Sequence, residues 1–203
     1  MQTLNLKQFI FFLIFSIILI TSALPQRNQV PIGTRPAGMG DAFVSVANDG
    51  NALYWNPAGI GALGHHELNS MTTNAFQINL RHQFLSYIFP LSDDQALGFG
   101  WFSEGLFDDE ELDWGWNIYQ LTYGRQLFKT FSFGLSLKYA DNSIGLDGRN
   151  QDKSSGLGLD FGLGVEYYIK PDLAIQGGIK RFIVWGKDFD FWNYQLGVTF
   201  SGK

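Results

Sequence analysis

From Gly156 to Tyr167 the chain alternates without a fault. Leu157, Leu159, Phe161, Leu163, Val165 and Tyr167 take the odd positions, and Gly156, Gly158, Asp160, Gly162, Gly164 and Glu166 the even ones. Successive side chains of a strand point to opposite faces, so one face here is wholly apolar and the other small or acidic. The stretch Ser155 to Tyr168 is long for a soluble strand, which usually ends after about five or six residues. A strand tilted across a bilayer needs about nine to eleven. Length, glycine content and an unbroken apolar face together point to a membrane.

The pattern recurs along the chain. Phe131, Phe133, Leu135, Leu137 and Tyr139 alternate with Ser132, Gly134, Ser136, Lys138 and Ala140. Further period-two faces lie around Leu85–Leu91, Leu97–Trp101, Tyr119–Tyr123, Leu173–Ile179 and Trp192–Phe200, with a weaker one at Glu67–Asn74. Connections this short exclude parallel crossovers, so the expected fold is all-β, an antiparallel transmembrane β-barrel in meander order. Tight turns are expected at Pro90–Asp94, Phe128–Thr130 and Lys170–Asp172. Long loops are expected at Ser103–Trp116, Asp141–Ser154 and Gly186–Phe191, the arrangement of outer-membrane barrels. Trp101, Trp114, Trp116, Trp185 and Trp192 fall beside those loops, where an aromatic girdle belongs.

Composition agrees. Aromatics make up 16% of the 203 residues and Gly contributes 24, while charged residues reach only 16%, against roughly 25% in soluble domains. Mean hydropathy is -0.03, the value expected when apolar and small polar residues alternate. So much aromatic surface argues against disorder. A net charge of -5 argues against nucleic acid as a partner. With no cysteine there is no disulfide, thiolate zinc site or cysteine nucleophile.

Residues 1–23 read as a cleaved signal peptide: Lys7, an apolar run from Phe9 to Ile20, and small residues at Thr21 and Ala23. The run is too short for a spanning helix. Residues 24–64 form a Gly-rich N-terminal segment, and 65–203 carry the strands. Asp41–Ala47 and Asn51–Trp55 are each expected to form a helical turn or two. Asn56 is placed to cap a helix that starts at Pro57.

The run Gly33-Thr34-Arg35-Pro36-Ala37-Gly38-Met39-Gly40-Asp41-Ala42-Phe43, continuing through Asn48-Asp49 to Asn56-Pro57-Ala58-Gly59, resembles the start of the PorV/PorQ family of outer-membrane proteins, distant relatives of FadL-type transporters. The resemblance implies a short plug inside a 14-stranded barrel, with Arg35, Gly38, Gly40, Asp49, Asn56, Pro57 and Ala58 as its motif. Asn48 stands where the family often has a second acid. A PorV-like protein would serve type IX protein secretion, with exported proteins or secretion components as partners. A FadL-like one would pass hydrophobic small molecules, and a small structural eight-stranded barrel is a further alternative. Residues 66–200 hold eight strands at about 17 residues each, whereas fourteen need roughly 240. An eight-stranded lumen has room only for side chains, so a shortened 14-stranded barrel is expected over closure at eight.

No enzyme is expected, and no cofactor. Lys138, Asp160 and Glu166 fall on the inward face, where a satisfied polar network is the expected role, and a passage lining or a docking point for Arg35 the alternative. Asp160 and Glu166 are about 20 Å apart along the strand, too far for paired acid–base hydrolysis. His65 and His66 point to opposite faces, so with His82 they make no metal triad. Gly38-Met39-Gly40 lacks the strand and the Lys-Ser/Thr of a phosphate loop. The acidic run Glu104–Asp113 is expected to be a solvated loop, with calcium binding as the less favoured reading.

Overall fold

The computed structural model describes residues 32–75, 80–106, 112–146, 149–170, 173–186 and 191–202. Eight strands follow one another in a single antiparallel sheet: β1 (Glu67–Ala75), β2 (Leu80–Ser92), β3 (Gln95–Leu106), β4 (Leu112–Phe128), β5 (Phe131–Leu146), β6 (Arg149–Lys170), β7 (Leu173–Gly186) and β8 (Phe191–Gly202). The order is a pure meander. Among the described residues β1 and β8 do not pair with each other, so the sheet is not closed.

Strand parity sorts the side chains as the period-two pattern predicts. Leu85, Tyr87, Phe89, Phe99, Leu121, Leu135, Leu137, Leu157, Phe161 and Val165 all stand exposed on one face. A contiguous apolar face of this size is untenable in water. Its upper edge is a polar line running across the strands, where Trp101 Nε1 donates to Asn117 Oδ1 at 3.3 Å and Asn117 Nδ2 to Asp141 Oδ1 at 3.1 Å. Its lower edge is marked by Arg125, whose Nε lies 3.8 Å from Asp94. Asn117 and Arg125 are eight positions apart, about 26 Å along a strand, or about 20 Å of height at a tilt near 40°. With the reach of side chains at both edges, this matches the roughly 25 Å apolar band of a transmembrane barrel.

The other face is built in layers set by register. Met71, Phe84, Phe102, Ile118 and Ala140 are paired in turn across β1 to β5. They form part of the hydrophobic core together with Ile32, Phe43, Leu53, Trp55 and Ile60 of the N-terminal segment. That segment contains α1 (Thr34–Gly38), α2 (Ala52–Trp55) and a 3-10 helix (Pro57–Ala62).

Three expectations are corrected. The loops expected at Ser103–Trp116 and Asp141–Ser154 are largely strand, because the hairpins β3–β4 and β5–β6 keep their ladders beyond the apolar band. Asp41–Ala47 forms successive turns rather than helix. The cause lies at Gly40 and Asp41, both left-handed with φ of 59° and 66°, a conformation helices exclude. Finally, the tryptophans do not all belong to an outer girdle. Trp116 shares the inward face and packs against the core, and Trp114, two residues before it, has the same parity. Residues 1–31, which include the expected signal peptide, and residues 107–111 of the acidic run lie outside the described residues.

Candidate functional site: a plug seated on a glycine track

Residues 32–64 lie against the small face of the sheet, and glycines make this possible. Gly124, Gly134 and Gly162 are paired in turn across β4 to β6, Gly98 of β3 stands opposite Thr122, and a Cβ on any of the four would meet the segment. At Gly134 it would fall on the Pro57 carbonyl and the Ala58 amide, and at Gly124 it would come 2.9 Å from the Gly61 nitrogen. Backbone meets backbone here, and backbone cannot rotate aside as a side chain can. We call the segment the plug for its place against this face, and the glycines of the strands are its seat.

Asn56 fastens it. Its Oδ1 accepts from Ala58 N at 3.1 Å, capping the 3-10 helix with Pro57 at the first position. Its Nδ2 donates to Val44 O at 2.9 Å within the plug and to Leu163 O at 3.0 Å on β6. One amide thus ties three segments together. Elsewhere Gly50 N donates to Glu67 Oε1 at 2.7 Å, and Trp55 Nε1 to Ile32 O at 2.8 Å. A Cβ on Gly197 of β8 would lie 3.3 Å from Ser45 Cβ, so the plug reaches from the first strand to the last.

Arg35 stays inside the plug. Its Nη1 donates to Asn48 Oδ1 at 2.6 Å and to Asp49 Oδ2 at 3.0 Å, and the guanidinium lies over the Phe43 ring at 5.0 Å. It therefore pairs with neither Asp160 nor Glu166 as the alternative reading required. Partners 13 and 14 residues away are simply nearer. Asn48, in the place of a second acid, still supplies an acceptor. Asp49 Oδ1 accepts from Asn51 N at 2.9 Å. Gly40 serves its left-handed turn, while a Cβ on Gly38 or Gly40 would meet nothing within 4 Å.

On the loop side of the plug, Lys138 Nζ lies 2.7 Å from Asp160 Oδ2, both fully buried, and Thr122 Oγ1 and Ser136 Oγ are 2.8 Å apart. Glu166 sits six residues away on the turn side, beside a cavity of about 190 Å³ bordered by Ser45, Asn48 and Lys129. The two acids are thus separated by the plug. Burial pushes the Tyr54 hydroxyl up from its usual pKa, and the carboxylates of Glu104, Asp160 and Asp41 add to the shift. Burial also raises Asp41. Tyr54 and Trp55 are core members that the motif did not mark. Their signal was only an aromatic pair ahead of Asn56.

Among the described residues no three metal-ligating side chains converge. Glu104, counted with the acidic loop, turns inward instead, its Oε2 3.9 Å from His82 Nδ1. Residues 107–111, where calcium binding was considered, are not described.

No family model matches the chain, and no curated protein matches it. Among solved structures it is similar to two outer-membrane β-barrels. One is Neisserial surface protein A, with 14% identity and a TM-score of 0.34 over 66% of this chain and 89% of that one. The other is Ail, the attachment invasion locus protein of Yersinia pestis, with 14% identity and a TM-score of 0.31 over 68% and 92%. Likeness at this level carries no argument, so the reading rests on the sheet itself.

Proposed function

We propose that this chain is a non-enzymatic outer-membrane β-barrel protein whose lumen is held shut by residues 32–64, and that it serves protein export or surface display of the PorV type. The observation that carries this is the seat of the plug. Pro57, Ala58 and Gly61 pack backbone-first on Gly134 and Gly124, leaving no gap between the plug and those positions of β4 and β5 for an apolar passage. A transporter of hydrophobic molecules needs such a passage, and the polar Lys138–Asp160 pair would line it badly. A barrel that presents its rim to other proteins needs a rigid, sealed interior instead.

The test has two arms. Tagged protein extracted from outer membranes should co-purify with exported proteins in the wild type. Cells lacking it should take up radiolabelled decanoate at an unchanged rate. Reduced decanoate uptake without any co-purifying exported protein would return the function to hydrophobic transport.

A further inference from the structure

The outer face of the β5–β6 hairpin is graded. Register pairs Ser143 with Lys153, Asp141 with Ser155, Tyr139 with Leu157, Leu137 with Leu159 and Leu135 with Phe161. All of them share the outward parity of the apolar band. Descending the hairpin, the pairs pass from cation and hydroxyl, through carboxylate and hydroxyl, to an aromatic hydroxyl and then to purely apolar side chains. Tyr139, Leu137 and Leu157 are exposed. Asp141 lies on the polar line that bounds the apolar band, where it accepts from Asn117 Nδ2 at 3.1 Å. Ser143 and Lys153 stand one pair higher, about 6.6 Å along the strand, or about 5 Å of height at the barrel tilt. The headgroup zone of a bilayer is about 5–8 Å deep on each side, so this pair sits within it.

A cavity of about 420 Å³ opens on this upper part, and its border includes Tyr139, Asp141, Ser143, Lys153 and Ser155. Its volume is in the range of small-molecule sites. The groups around it are mostly donors: the Lys153 ammonium carries three N–H bonds, and the hydroxyls of Ser143, Ser155 and Tyr139 each add one. Lys153 forms no ion pair among the described residues. Asp141, the one carboxylate on the border, is engaged on the other side, since Asn117 belongs to β4 and Lys153 to β6. A donor-rich pocket with an unpaired cation selects an anion. At this height the anion a bilayer supplies is a lipid phosphate. The acyl chains below such a phosphate would lie along Leu157, Leu137 and Leu159, whereas a free phosphate would leave those lower pairs unused.

We infer that the outer face of the β5–β6 hairpin binds a phosphate-bearing membrane lipid, its phosphate held by Lys153 with the hydroxyls of Ser143 and Ser155, and its acyl chains against Leu137 and Leu157. The inference is independent of the export reading, since export and transport both leave this face in the bilayer.

The test is lipid titration of the full chain, read by native mass spectrometry from a neutral polyoxyethylene detergent. The probes are dioleoyl phosphatidic acid, the matching dioleoylglycerol, which lacks the phosphate, and inorganic phosphate, which lacks the tails. Saturable binding of phosphatidic acid is expected, at least tenfold tighter than that of either control. Lys153→Gln should weaken it roughly tenfold, the loss of one charge-assisted hydrogen bond, and Lys153→Arg should retain it. Lys129→Gln removes the same charge at the β4–β5 turn and should leave binding unchanged. Both lysines are exposed, so these variants should fold, as gel migration with and without boiling will check. Equal weakening by Lys129→Gln would mean that net charge alone draws the lipid. Dioleoylglycerol bound as tightly would reduce the site to its tails, and inorganic phosphate bound as tightly would make it a pocket for the free anion. Any of these results, absence of saturable binding, or binding undiminished in Lys153→Gln would overturn the inference.

Discussion

Gly134→Ala is the most direct challenge to the seat of the plug. The added methyl would coincide with the Pro57 carbonyl and the Ala58 amide, both main-chain groups held by the Asn56 cap. Overpacking a filled interior by a methylene costs about 1–3 kcal/mol even where side chains relax. Here neither side can rotate away, so about 3 kcal/mol is the reasonable figure, roughly a 150-fold shift from docked to undocked plug. The chain has no cysteine, which makes a disulfide reporter clean. Ser45→Cys with Gly197→Cys places the two Cβ atoms 3.3 Å apart, close to the 3.5–4.5 Å of a real bridge. This bridge should form readily in the parent background and far more slowly with Gly134→Ala. Gly115→Ala is the control, since its Cβ would meet only Ser143 Oγ at 3.6 Å, an ordinary contact. Equal rates of bridge formation in the Gly134 and Gly115 backgrounds would refute the claim that glycine makes room for the plug.

Asn56→Ala removes one cap and two donors to buried carbonyls, and should destabilise docking by about 2–4 kcal/mol in the same bridge assay. Lys138→Met removes the ammonium 2.7 Å from the buried Asp160 carboxylate and should cost about 3–5 kcal/mol, most of it recovered by adding Asp160→Leu; thermal loss of the compact unboiled gel band reads both. Leu137→Arg, in the middle of the exposed apolar band, should cost about 2–4 kcal/mol in a bilayer, as measured by urea unfolding in vesicles. Tyr54 predicts an alkaline weakness. Its docked pKa lies above the usual 10.0, so above that pH the undocked state binds fewer protons and stability falls as pH rises. Tyr54→Phe should flatten the slope of bridge formation above pH 10, and an unchanged slope would assign it to another group.

Strand faces were legible in the sequence because a period of two leaves no choice. Once Leu157 faces lipid, Gly156 and Asp160 must face inward, and Lys138 on the next strand follows. Strand ends were not legible. Beyond the apolar band the outward residues turn polar, as at Asp141, Ser143 and Lys153, so the text reads as loop while the backbone ladder continues. Hydrogen bonding, not hydrophobicity, ends a strand, and composition is blind to it. Trp116 misled for a related reason: its place near a strand end suggests a girdle, but its even position turns it inward. The contact of His82 with Glu104 was out of reach, since the two sit on different strands and meet only through register.

The excess of glycine now has a specific cause. Small inward residues implied room for something, and the closed eight-stranded lumen, wide enough only for side chains, implied that a plug could not fit. Both inferences are sound, and the structure reconciles them by leaving β1 and β8 apart while the plug touches both through Glu67 and Gly197. The plug and the open sheet are therefore one feature rather than two. Closing β1 on β8 would require expelling Pro57 to Gly61 from the glycine track, and exposing Leu53, Ile60 and Trp55, each fully or almost fully buried. At about 1.5–3 kcal/mol for each such side chain, that loss comes to about 4.5–9 kcal/mol, more than the cost expected of Gly134→Ala.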